Sequence, residues 1–144
     1  MTVLKKKYPI RENDFIRAGE ATINIKSLLK TLNLDTALIR RIAICCYEGE
    51  MNVVMHGRSG ELHVEISEDN ITLIISDSGP GIHDVDLAMT EGYSTASNEH
   101  RELGFGAGMG LPNMKKNAEH FYISSQLGVG TTIIMNFPVP MTMQ

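Results

Sequence analysis

Glu48, Asn52 and His56 recur at intervals of four residues. On a helix that spacing stacks them on one face. Such a row reads in two ways. It is a solvated face opposite an apolar stripe, or it is a working set. In the second reading the Asn52 amide oxygen is a ligand for a hard cation. The Glu48 carboxylate is then a base for a water or a hydroxyl. A second cluster is Asp77-Ser78-Gly79-Pro80-Gly81-Ile82. A carboxylate only accepts hydrogen bonds, so Asp77 suits the amino group of adenine and repels the carbonyl that guanine carries there. The bare backbone of Gly79 and Gly81 lets a flat ring lie close. The same residues also make an ordinary Asp-Gly turn.

A third cluster is Gly104-Phe105-Gly106-Ala107-Gly108-Met109-Gly110-Leu111, which runs straight into a helical pattern. A glycine-rich loop at a helix N-terminus presents unpaired N–H groups and a positive dipole end to phosphate. Glycines alternating at this density point to a ligand more than to a turn. No Gly-Lys-Ser/Thr occurs and no strand precedes the loop, so it is neither a Walker loop nor a dinucleotide fingerprint. The fourth cluster, Gly128-Val129-Gly130-Thr131-Thr132, is explained as well by a hairpin turn as by a ligand.

The elements around these clusters follow from periodicity. Residues 3–10 read as an edge strand with Pro9 near its end. Asn13 or Asp14 is placed to cap a helix carrying Phe15, Ala18, Ala21, Ile25, Leu28 and Leu29 at helical spacing. Asp35 or Thr36 caps a second helix through Leu38, Ile42, Cys45, Cys46, Gly49 and Val53, ending at His56-Gly57. The period then changes to two: residues 61–67 and 71–76 predict a hairpin. Residues 84–91 predict a short helix and residues 111–118 another, with Pro112 in its first turn. The polar stretch 94–106 between them suits a lid that orders on nucleotide. Residues 121–125 and 131–137 predict two more strands. Helices first and strands after argue an α+β two-layer sandwich, a mostly antiparallel mixed sheet with helices on one face, built as a single domain over residues 1–144.

Composition narrows the function. The chain has 144 residues, 42% hydrophobic and 21% charged, with 13 basic against 17 acidic residues for a net charge of −4. That is globular composition without the positive field that direct nucleic-acid binding needs. No apolar stretch approaches the roughly 20 residues that span a bilayer, so no membrane partner is expected. Cys45 and Cys46 are adjacent, and a disulfide between them would be badly strained. They read as small core residues in a reducing, cytoplasmic protein. The five histidines show no metal-ligand spacing with them.

Glu48-x-x-x-Asn52, Asp77-x-Gly79-x-Gly81, Gly106-x-Gly108-x-Gly110-Leu111 and Gly128-x-Gly130-Thr131 occur in that order. Each motif is weak and the ordered set is strong. It resembles the GHKL superfamily of gyrase, heat-shock chaperone, histidine kinase and mismatch-repair ATPases, over roughly residues 39–137. Within it, the run Glu48-x-x-x-Asn52-x-x-x-His56-Gly57 and the Gly92-Tyr93-Ser94-Thr95 segment are similar to the small anti-sigma-factor serine kinases of bacterial partner-switching systems.

The resemblance implies a Bergerat-type ATP-binding fold, often dimeric. It implies ATP and Mg²⁺ as cofactors, with Asn52 on the ion, Glu48 as base and Asp77 on adenine. The nucleotide would be lined by Gly79, Gly81, Ile82, Gly104, Gly106, Ala107, Gly108, Met109, Gly110, Leu111 and Thr131. It also implies an anti-anti-sigma-type protein as phosphorylated partner, with a sigma factor as a second candidate.

The expected function is therefore an ATP-dependent protein serine/threonine kinase acting as a partner-switching regulator. Two alternatives stand beside it. One is a histidine-kinase-type catalytic domain, against which the residues before Asp35 supply no phosphoacceptor helix. The other is a nucleotide-gated binding module with little turnover, which uses the same boxes. Glu50, acidic and wedged between Glu48 and Asn52, has no part in any of these motifs.

Overall fold

A computed structural model describes residues 2–56, 58–90 and 110–140. The strands are β1 (Thr2–Arg11), β2 (Ser59–Ser67), β3 (Asn70–Asp77), β4 (His120–Gln126) and β5 (Gly130–Pro138). They form a five-stranded sheet in the order β1-β2-β3-β5-β4. Every pairing among the described residues is antiparallel, so the mixed character expected from sequence is absent there. The helices are α1 (Glu20–Lys30), α2 (Thr36–His56), the single turn α3 (Val85–Ala88) and α4 (Gly110–Asn117).

Strand alternation sorts the sheet into two faces. Leu62, Val64, Ile71, Leu73, Ile133, Met135 and Phe137 point inward and are buried. Ile25 and Leu29 of α1, Ile42, Cys45, Cys46 and Val53 of α2, and Met114 of α4 close over them as the second layer. Gly49 lets α2 lie close to the sheet, because a Cβ there would collide with Cδ1 of Ile75. Both cysteines are buried free thiols, as the composition suggested. Burial pushes the Cys45 thiol up to about 12, so it stays protonated and unreactive.

Most boundaries fall within a residue or two of their predicted places. Asp35 caps α2, its Oδ2 accepting from the Leu38 N–H at 3.3 Å. The exception is α1. Periodicity places its start at Asn13 or Asp14, yet residues 12–19 are turns and the helix begins at Glu20. Asn13 (φ 63°) and Gly19 (φ 97°) are both left-handed, and a right-handed helix does not run through either. Asp14 caps only a local turn, accepting from Arg17 N–H at 3.3 Å. The predicted helix at 84–91 shrinks to α3, capped by Asp84. The predicted lid at 94–106 lies outside the described residues, as do Gly92-Tyr93-Ser94-Thr95.

Candidate functional site

Asp77 is the last residue of β3, at the point where the strand gives way to the 78–82 loop. Its Oδ1 accepts from the Gly79 N–H at 2.9 Å and the Thr131 N–H at 3.3 Å. Among the described residues, the backbone hydrogen bonds to this carboxylate fall on Oδ1. Partial burial pushes the Asp77 carboxyl up, while the two N–H bonds and the nearby His56 charge pull it back. A carboxylate held through one oxygen is suited to accept a further N–H on the other, as an exocyclic amino group would supply.

The surroundings hold that geometry. Gly130 (φ 145°) lies so close to the Asp77 carbonyl that a Cβ would strike it. Gly81 (φ 81°) lies equally close to the Gln126 carbonyl. The Gly128 N–H donates to the Pro80 carbonyl at 2.9 Å. The Ile82 N–H donates to Ser125 Oγ at 2.7 Å, and Ser125 Oγ lies 2.8 Å from Thr131 Oγ1. Two motifs far apart in sequence thus form one structural unit. Gly128 makes the hairpin turn, while Gly130 and Thr131 build the wall beside Asp77. The hairpin reading of that fourth cluster holds, and Gly130 and Thr131 in addition pack against Asp77.

Glu48 and Asn52 stand one turn apart on α2, and the first turn of α4 meets both. Asn113 Nδ2 donates to Glu48 Oε2 at 3.0 Å. A Cβ built on Gly110 would lie 3.4 Å from Asn52 Oδ1, so the helix start passes directly over the amide. No described residue hydrogen-bonds the Asn52 side chain. An amide oxygen without a partner among the described residues, facing the start of a helix, is chemically fit to ligate Mg²⁺. Among the described residues no cluster of three His, Cys, Asp or Glu side chains offers a competing metal site. His56, third in the row, ends α2 near Asp77. Gly110 and the buried Leu111 begin α4. Gly104, Gly106, Ala107, Gly108 and Met109 lie outside the described residues.

Three residues of this region carry no motif. Asn113 orients Glu48 and Ser125 ties the two loops together. Glu50 is the third: it is 2% exposed and caps α1 across space. Its Oε2 accepts from the N–H groups of Gly19 (2.9 Å) and Ala21 (3.3 Å). Its Oε1 accepts from the N–H (3.0 Å) and hydroxyl (2.7 Å) of Thr22. The N-cap residue Gly19 has no side chain to do this, and the carboxylate also meets the positive end of the helix. One signal was available in the sequence. Glu50 lies four residues from both Cys46 and Val54, on the buried stripe of α2, where a carboxylate needs donors.

Comparison with known proteins agrees with this geometry. Residues 39–141 match the family described as histidine kinase-, DNA gyrase B-, and HSP90-like ATPase. The chain is 30% identical over 112 residues to the serine/threonine-protein kinase RsbT of Bacillus subtilis (strain 168), covering 75% of this chain and 78% of that protein. It is 28% identical over 121 residues to the anti-sigma F factor of Clostridium novyi (strain NT), covering 80% and 81%. It is also 29% identical over 83 residues to the sensor protein kinase GraS of Staphylococcus aureus (strain Newman), covering 55% of this chain and 24% of GraS. With the family match spanning most of its length, the chain belongs to the histidine kinase-, DNA gyrase B- and HSP90-like ATPase family.

Proposed function

We propose that this chain is an ATP-dependent protein serine/threonine kinase of the partner-switching type, acting on an anti-anti-sigma-type protein. The observation that carries the reading is the meeting of α2 and α4: one turn of α4 touches Glu48 through Asn113 and Asn52 through Gly110. That contact supports Glu48 for proton transfer and Asn52 for the metal, beside a helix start of the kind that binds phosphate. The similarity to RsbT and to an anti-sigma F factor over about four-fifths of each supports the substrate class.

In this reading Asp77 Oδ2 accepts the adenine amino group, and the Gly79–Gly81 backbone passes under the ring. Asn52 Oδ1 holds Mg²⁺, which when bound neutralises charge across the phosphates. Glu48 takes the proton of a serine or threonine hydroxyl as its oxygen bonds to the γ-phosphorus. The bond from that phosphorus to the β–γ bridging oxygen breaks, and ADP leaves with the electron pair. Positioning and charge neutralisation supply most of such a rate enhancement.

The test is incubation with γ-labelled ATP and purified anti-anti-sigma-type proteins, wild type beside Glu48→Gln. The expected result is label on a partner serine or threonine, lost in Glu48→Gln. If no partner is labelled while nucleotide still changes partner affinity, the chain is a nucleotide-gated binding module instead.

A further inference from the structure

A groove of about 820 Å³ runs between α1, α2 and α4 on the helical face of the molecule. Its volume is far more than one side chain fills and lies within the roughly 300–1,000 Å³ that accommodates whole ligands. One end opens on Glu48 and Asn113. The other is rimmed by Lys26 and Lys30 of α1 and Arg40 of α2, all exposed. Lys26 and Lys30 are one helical turn apart and share a face. None of the three cations forms an ion pair among the described residues. Three cations without an ion pair among the described residues, lining one groove, are notable in a chain whose net charge is −4. The walls between are apolar and open to solvent: Ile23 is 64% exposed and Tyr47 41% exposed.

We propose that this groove docks an acidic, amphipathic helical segment of the protein that receives the phosphoryl group. The proposal rests on the kinase reading above and adds the chemistry of the partner's contact surface. Charge complementarity selects the occupant. An apolar stripe would cover Ile23 and Tyr47, and flanking aspartates or glutamates would meet Lys26, Lys30 and Arg40. A segment seated this way runs along α2 toward Glu48, and so carries a hydroxyl beside it to the base. The adenine end of the nucleotide lies away from this space, because Asp77 is at the other end of α2, near His56, so nucleotide and segment meet only at Glu48.

The test separates docking from chemistry. The probe is a fluorescein-labelled amphipathic peptide of about 15 residues, with a leucine stripe flanked by glutamates and bearing one serine. Anisotropy is read with ATP-saturated full-length protein, wild type beside the triple variant K26E/K30E/R40E. The expected result is saturable binding that weakens with salt and falls about tenfold or more in the triple variant. A lysine-flanked version of the peptide should show the opposite preference, and ATP affinity should be equal in the two proteins.

Absence of peptide binding to wild type, or binding indifferent to the reversal, overturns the groove assignment even if a folded partner is phosphorylated. Binding as expected without phosphorylation of peptide or partner upholds the groove and overturns the kinase reading. A wild-type dimer that the triple variant abolishes, with the acidic peptide ignored, assigns the groove to self-association and overturns the proposal. Displacement of the peptide by single-stranded DNA at stoichiometric concentration would likewise overturn it.

Discussion

The two ends of the site are built in contrasting ways. At the Asp77 end, backbone holds backbone: two N–H groups fix one carboxylate oxygen, and the 78–82 loop is bonded to the β4–β5 hairpin. Gly81 and Gly130 bring main chain against main chain where no side chain fits. At the Glu48 end, side chain holds side chain. Among the described residues a single hydrogen bond, donated by the Asn113 amide, orients the carboxylate, and an open groove lies beside it. The Asp77 end is thus held by bonds within the chain itself. The Glu48 end depends on how α4 sits against α2. In the proposed kinase reading, nucleotide specificity and turnover are therefore separable by mutation.

Four substitutions test that separation. Glu48→Gln should lower phosphoryl transfer by about 10²–10⁴-fold while leaving ATP affinity near wild type. Single-turnover transfer beside calorimetric ATP binding reads both, and a wild-type rate would remove Glu48 as the base. Glu50→Ala leaves the N–H groups of Gly19, Ala21 and Thr22 without their acceptor in a buried place. It should cost about 2–4 kcal/mol of stability, read as a shift in denaturation midpoint. A change within error would mean that α1 does not depend on this cap.

Asp77→Asn turns the free oxygen into an amide that faces the adenine amino group donor to donor, or else disturbs the bonds from Gly79 and Thr131. ATP affinity should fall by about 1–3 kcal/mol, with transfer at saturating ATP largely kept. Equal affinity of the wild type for ATP and GTP would break the adenine assignment. Asn113→Ala should have the smallest effect, because water can replace the lost donor at the half-exposed Glu48. A drop in transfer of about 0.5–1.5 kcal/mol with unchanged ATP affinity is expected, and Asn113→Gln should restore part of it.

What was legible in the sequence divides along the same line. Strand alternation gave the inward rows of β2, β3 and β5 because each strand has one buried face, and a period of two admits a single assignment. The interval of four in Glu48, Asn52 and His56 placed them on one face of α2 for the same kind of reason. The start of α1 was not legible. Phe15 and Ala18 sit at helical spacing from Ala21, but Phe15 and Ala18 pack on the core from a turn, and Ile16 is 97% exposed. The decision lay in the left-handed Asn13 and Gly19, and in a cap supplied by Glu50 from another element. Asn113 was illegible for a related reason. Its bond to Glu48 joins residues 65 apart, and no local pattern encodes such a pairing.

The ladder between β3 and β5 also bears on how the chain can change in length. It joins Asp77 to Thr131, so the chain from residue 78 to residue 130 is closed into a ring by that pairing. The entropy of closing a flexible loop rises only logarithmically, by about 0.6 kcal/mol for each doubling of its length. Once the eight-residue strand β3 and its partner are zipped, lengthening the segment between them weakens the fold little. Residues added within that ring lengthen its span without disturbing its clasp, so the β3–β5 pairing sets little limit on the length of chain it closes.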